Sequence, residues 1–383
     1  MGIRSRTLIT AFLLLLLGAW HGLAGREGEN QDLARKPLPL SPEDKAELIE
    51  ALRLQKTLGA QVWPGFDRAE IPIILYDETS EFLIGLQNPP APWMAVEGDD
   101  FQGRPYFRRS ASKPQSFAVR TDGRWAGSLS TLSLMNRRAP LKLRQDFHIV
   151  LLLHEMFHAF QAEQAPERFD RALKVYAVEN RYFFGDPEFA AAWDKEGALL
   201  AAGLKAPDEA AARRAAREFL DARESRRRKA SLGPDLLAFE RELEWLEGLA
   251  KYAESRFSEL AASPSGGPPP STPILSDPFR QWDFVRLEKQ LGRQKGDLRF
   301  YLSGSAQALL LDRLSADWKA KMRLADIVLE DALRHAVGPP DRPAVAEKNH
   351  VDHRLLWTLT GCSQKFFIAI RMRAGFVLLG RPV

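Results

Sequence analysis

One stretch of this chain dictates how the rest must be arranged. Residues 146–164 read DFHIVLLLHEMFHAFQAEQ, in which Ile149, Val150, Leu151, Leu152, Leu153, Met156, Phe157 and Phe160 leave a helix with almost no polar face. Such a helix is buried, so other elements must surround it. It also carries His154, Glu155 and His158 in the pattern H-E-x-x-H. Spaced i, i+4, the two imidazoles fall on one side of a helix and can converge on a single ion. Glu155 is then placed to act as general base toward a water at that ion. Three polar groups inside an apolar helix are costly unless something satisfies them, and a cation would do so. The bland alternative is a pair of hydrogen-bonded core histidines with Glu155 turned to solvent.

The chain has 383 residues, 45% of them hydrophobic and 27% charged, which is ample for a sizeable core and for more than one domain. Its formal charge of +4 includes Arg4 and Arg6, and its basic residues are mostly interleaved with acids. That distribution argues against nucleic acid or an anionic membrane as a partner. Residues 1–24 have the three parts of a signal peptide: Arg4 and Arg6, the apolar run from Leu8 to Leu17, and small residues around Gly22 and Ala24. The expectation is an exported protein, periplasmic or extracellular, with no stable membrane insertion after cleavage. Cys362 is the single cysteine, so an intrachain disulfide is impossible and a thiol nucleophile has no support.

Residues 25–45 read as a flexible leader, with Ser41 as N-cap, Pro42 at the first helical position and Asp44 at the third. Residues 46–145 form an N-terminal α/β part. Within it, IPIILYD at 71–77 is strand-like, and Asp122-Gly123 between two alternating runs signals a hairpin. The second run, RWAGSLSTLSL, has the alternation of an edge strand, which could hold an extended peptide through its backbone. The metal-binding helical region spans 146–262. It contains helices expected from Asp186-Pro187 to about Leu204 and over 208–229, where Arg226, Arg227, Arg228 and Lys229 read as a solvated face. A Pro/Gly/Ser-rich linker occupies 263–275 and a C-terminal helical region 276–383, with a segment at 278–292 and helices expected at 303–316 and 319–336.

A hydrolytic zinc site usually has three protein ligands and one open position. Residues 240–254 read ERELEWLEGLAKYAE. Here the chain resembles the gluzincin metallopeptidases, in particular the aminopeptidase N-like family, whose second helix carries W-L-x-E-G-[FL]-A-x-Y. The match is Trp245, Leu246, Glu247, Gly248, Leu249, Ala250 and Tyr252, with one residue missing between Leu246 and Glu247. The resemblance implies Glu247 as third ligand to one Zn2+ ion beside His154 and His158. His158 and Glu247 are 89 positions apart, far more than the family spacing, which implies a helical insertion over about 165–238. Glu179, 21 positions after His158, and Glu196 and Glu244 are competitors for the third place. Beyond the linker, Tyr301-Leu-Ser303-Gly304-Ser is similar to the family's Y-x-K-G-[AS], which implies Tyr301 as donor to the developing oxyanion, with Ser303 where the family has lysine. The family's Gly-x-Met-Glu-Asn stretch is not found; the corresponding region reads Trp125-Ala-Gly127-Ser-Leu. His350 and His353 form a separate H-x-x-H pair that nothing nearby supports.

The fold expected is α+β and mainly α-helical, an N-terminal β-containing part followed by a zincin-like helical region. The function expected is that of an exported zinc metallopeptidase acting on a peptide or protein substrate. Glu155 would serve as base, with Glu244 or Glu254 orienting the histidines. Two other readings stay open: a non-catalytic exported binding or scaffold protein, and a zinc amidase acting on a non-peptide amide such as cell-wall material.

Overall fold

The computed structural model describes residues 39–112, 114–138, 142–262, 278–324 and 327–338, and the backbone of 369–372 and 375–378. The expected signal peptide, the linker and the His350/His353 pair lie outside these residues. The chain divides into two units, residues 1–338 and 339–383. In the second, β7 (Ala369–Met372) and β8 (Gly375–Leu378) pair antiparallel.

The first unit is α+β, mostly helical, with a mixed sheet near its N-terminus. Helix α1 (Pro42–Val62) starts at Ser41, whose side chain accepts from the Asp44 amide, the cap that the sequence signals. The strands are β1 (Ile73–Tyr76), β2 (Ser80–Ile84), β3 (Met94–Ala95), β4 (Phe107–Ser110), β5 (Phe117–Thr121) and β6 (Arg124–Ser130), in the order β3-β4-β2-β1-β6-β5. Only β1 and β6 pair in parallel. Asp122 and Gly123 both have positive φ, +47° and +74°, as a two-residue type I′ hairpin turn requires.

The second hairpin run is not an edge strand, contrary to the sequence expectation. β6 lies between β1 and β5, and β5 is the edge. The small residues of β6 have a different cause. A Cβ on Gly127 would come within 2.8 Å of the Met156 amide nitrogen and 2.9 Å of the Glu155 carbonyl carbon. The strand is thin there because the metal-helix candidate lies directly on it. The run also ends early, giving way to α2 (Leu132–Arg138).

That candidate, α3 (Gln145–Gln164), is buried along almost its entire length. It is followed by α4 (Pro166–Lys174), a 3₁₀ segment (Val175–Arg181), α5 (Pro187–Lys205), α6 (Glu209–Lys229) and α7 (Pro234–Leu243). A π turn (Glu244–Gly248) runs on into α8 (Leu249–Ala262). Next come α9 (Pro278–Gln290), α10 (Asp297–Leu314), α11 (Trp318–Leu324) and α12 (Leu329–Val337). The single helix expected over 319–336 is thus two, and the one expected from Ser303 starts two turns earlier. One apolar core joins α1, the sheet, α3 and the helices on both sides of residues 263–277.

The basic run at the end of α6 is a second correction. Arg226 is 2% exposed and donates to Glu196 and Glu240, while Arg227 donates to Glu240 and Glu330; only Arg228 and Lys229 are exposed. Partners from α5, α7 and α12 neutralise the two inner guanidiniums, so the run is amphipathic rather than solvated.

Candidate metal centre

Three side chains from two helical segments converge beside β5 and β6. His154 and His158 leave one face of α3, and Glu247 leaves the π turn. His154 Nε2 and His158 Nε2 are 3.1 Å apart, and His158 Nε2 lies 3.3 Å from Glu247 Oε2. All three residues are buried, and their candidate ligand atoms lie within 4.8 Å of one another. Ligands at about 2.0–2.1 Å from a tetrahedral ion sit roughly 3.3 Å apart, close to the two separations found.

A hydrogen bond at His158 and a carboxylate facing His154 show which nitrogens point inward. Gln161 Nε2 donates to the carbonyls of Trp245 (2.9 Å) and Leu246 (3.2 Å), so its Oε1 is the atom 3.0 Å from His158 Nδ1. His158 Nδ1 therefore donates, and its Nε2 presents a lone pair. His154 Nδ1 faces Glu254 Oε2 at 3.4 Å, which directs its Nε2 to the same place. Two imidazole lone pairs and a carboxylate oxygen that meet without a cation repel one another. Glu247 Oε2 and Glu155 Oε2 are buried with no hydrogen-bond partner. The group can therefore hold a metal ion, and the donor set of two imidazoles and one carboxylate suits a divalent one.

Burial lowers the His154 pKa and keeps its ring neutral, as a ligand must be. Burial, the largest influence, works to raise the Glu247 carboxyl, but His158, His154 and the Tyr301 hydroxyl together outweigh it and favour the carboxylate, as positive charge placed between these groups would. Glu155 is pushed well above that range by burial, then by the charges of Glu247 and Glu254. Burial would raise Glu254 too, yet Lys251, 2.6 Å away and also paired with Asp283, brings it down to about 2. Glu254 is thus an anion held behind His154. Tyr301 lies in the second turn of α10, its ring stacked on that of His154 at 5.5 Å and 17°. Burial and the charge of Glu247 keep its hydroxyl protonated, and therefore a donor.

The remaining candidates fall elsewhere. Glu196 is fully buried but serves Arg223 and Arg226, and Glu244 serves Arg223 and Ser303. Glu179 is half-buried in the 3₁₀ segment and does not join the group. Two neighbours carry no sequence motif. Tyr176 donates to Glu247 Oε1 at 3.1 Å, and the Phe117 ring of edge strand β5 lies 4.7 Å from the His158 ring. Gln161 was findable, three residues after His158 on the same helix face. A different histidine of α3, His148, bonds Glu47 Oε2 at 2.5 Å and the Ser130 carbonyl at 2.7 Å. With a partner at each ring nitrogen, it ties α1 and β6 to α3.

The π turn explains how one continuous helical stretch serves two purposes. Glu240, Glu244, Glu247 and Glu254 lie at i, i+4, i+7 and i+14, a single stripe on a straight α-helix. Here Glu240 and Glu244 face the arginines of α6, while Glu247 and Glu254 face the histidines. A wider turn removes about one residue's worth of rotation, roughly 100°, and so splits the stripe. The turn occupies the residues where W-L-E-G is one short of the family spacing. It is held by a close glycine pair: a Cβ on Gly248 would fall 2.5 Å from Gly304 Cα.

No family model matches the chain, and neither a curated protein nor a solved structure does. Among the described residues no helix is long and apolar enough to cross a membrane.

Proposed function

We propose that this protein is an exported zinc metallopeptidase with a zincin-like centre of the gluzincin type. The observation that carries the reading is the convergence of His154, His158 and Glu247 at ligand spacing, with the unpartnered carboxylate of Glu155 beside them. Zinc bound there would supply Lewis acidity and lower the pKa of a water. The protein's own groups supply the rest. Glu254 and Gln161 hold the two imidazoles in the tautomer that ligates, and Tyr176 holds Glu247. Glu155 takes a proton from the attacking water and passes it to the leaving amine. Tyr301, stacked on His154, donates to the carbonyl oxygen as charge develops on it.

His154, Glu155 and His158 are each 1% exposed, and Glu247 is 2% exposed. Depth of that order favours a narrow, extended substrate over a folded protein. The test is hydrolysis of a casein digest, of an intact folded globular protein and of a cell-wall amide preparation by the purified chain, with and without a chelator. The reading expects chelator-sensitive cleavage of the short peptides and restoration by zinc. A non-catalytic binding protein would show no turnover in any arm, and cleavage of cell-wall amides alone would move the substrate class.

A further inference from the structure

We propose that Arg223, carried by the segment inserted between the two ligand-bearing elements, is a positioning residue for the metal ligand Glu247. The inference rests on the metal-centre reading above and gives the insertion a task in it.

Arg223 sits on α6 at 1% exposure, and its guanidinium makes a planar fork. Nη1 and Nη2 donate to Glu244 Oε2 and Oε1 at 2.8 and 2.7 Å, and Nε donates to Glu196 Oε2 at 2.9 Å. Glu244 is the first residue of the π turn that carries Glu247. Its Oε1 also accepts from Ser303 Oγ at 2.6 Å, one residue before the glycine that packs on the turn. Both donors are buried, so Glu244 is gripped from α6 on one side and from α10 on the other.

This grip falls on the rotation that separates the two glutamate pairs. Were the turn to relax to regular α-helix, Glu244 and Glu247 would realign on one stripe and could not serve both Arg223 and the histidines. The fork binds two carboxylate oxygens in one plane, which fixes the orientation of Glu244 as a point charge would not. Ser303, which replaces the lysine of the similar motif, is part of the same clamp. A long cation there would compete with Arg223 for Glu244.

The experiment measures zinc affinity by competition with a chromogenic chelator, and the visible spectrum of the cobalt(II)-loaded protein. The proteins compared are wild type, Arg223→Lys, Ser303→Ala and Arg241→Lys. The Arg241 side chain donates to Glu330 in the same ionic network and makes no hydrogen bond to the π turn, so its substitution reports loss of the network alone. Arg223→Lys is expected to weaken zinc by about tenfold or more and to shift the cobalt bands, while Arg241→Lys stays within about twofold. Ser303→Ala is expected to shift in the direction of Arg223→Lys, and it decides alone should Arg223→Lys fail to fold. Unchanged affinity and spectrum in Ser303→Ala and in any folded Arg223→Lys, with metal bound normally by wild type, would overturn the positioning role and leave the metal centre standing. A wild type that takes up neither zinc nor cobalt would overturn both.

Discussion

Glu155 and Tyr301 are the residues whose chemistry separates a hydrolase from a mere metal holder. Glu155 has no ligand role in the geometry, so Glu155→Gln should keep the metal and lose turnover, by about 10²–10⁴-fold for a positioned base. Zinc content and kcat on the same preparation check this. Loss of zinc together with activity would place Glu155 among the ligands instead. Tyr301→Phe removes the proposed oxyanion donor and should cost roughly 10²-fold in kcat, with little change in KM. Glu155 is legible in sequence because its pattern has the spacing of a helical face, and Tyr301 only through the resemblance of Tyr301-Leu-Ser303-Gly304 to a family motif. Tyr176 and Phe117 are not, since they reach the site from a 3₁₀ segment and an edge strand with no periodicity linking them to it.

Among the elements, the π turn and its glycine contact carry the most consequence. Gly248→Ala places a methyl against the backbone of Gly304, which cannot give way as a side-chain tip can. The substitution should destabilise the protein by about 1–3 kcal/mol and weaken metal binding, read from urea midpoints and chelator competition. The ionic cluster around α6 makes a second prediction. Burial opposes the charge of Glu240 and Glu330, but Arg226 and Arg227 respectively lead the charges that outweigh it and hold both below the ordinary range. A depressed folded pKa gives stability that is present above the unfolded value, about 4.3, and is lost as pH falls toward the folded one. Urea midpoints of wild type should therefore fall on acidification below that value. Glu330→Gln, less stable at neutral pH, should show a shallower fall; parallel profiles would contradict the assignment. Here sequence reading is weakest. Arg226 and Arg227 look solvated because Glu196, Glu240 and Glu330 lie on other helices, 30, 14 and 103 positions from one of the two. Likewise, the small residues of β6 mimic an edge strand, when the cause at Gly127 is the backbone of α3.

At the scale of the molecule, α3 is the element on which the sheet, α1 and the later helices close, as its apolar circumference requires. The 89 positions between His158 and Glu247 are bridged by helices that return the chain to the same place. That closure is a tertiary fact which the spacing alone left open, and it is why Glu179 and Glu196 stood as competitors. Burial of Glu196 against two arginines and the position of Glu179 outside the group now separate them from Glu247. The most direct test is zinc per chain, by elemental analysis after exhaustive dialysis, for wild type, Glu247→Ala and Glu179→Ala. The account expects near-stoichiometric zinc in wild type and in Glu179→Ala, and its loss in Glu247→Ala. Zinc retained in full by Glu247→Ala, or absent from wild type offered the metal, would contradict it.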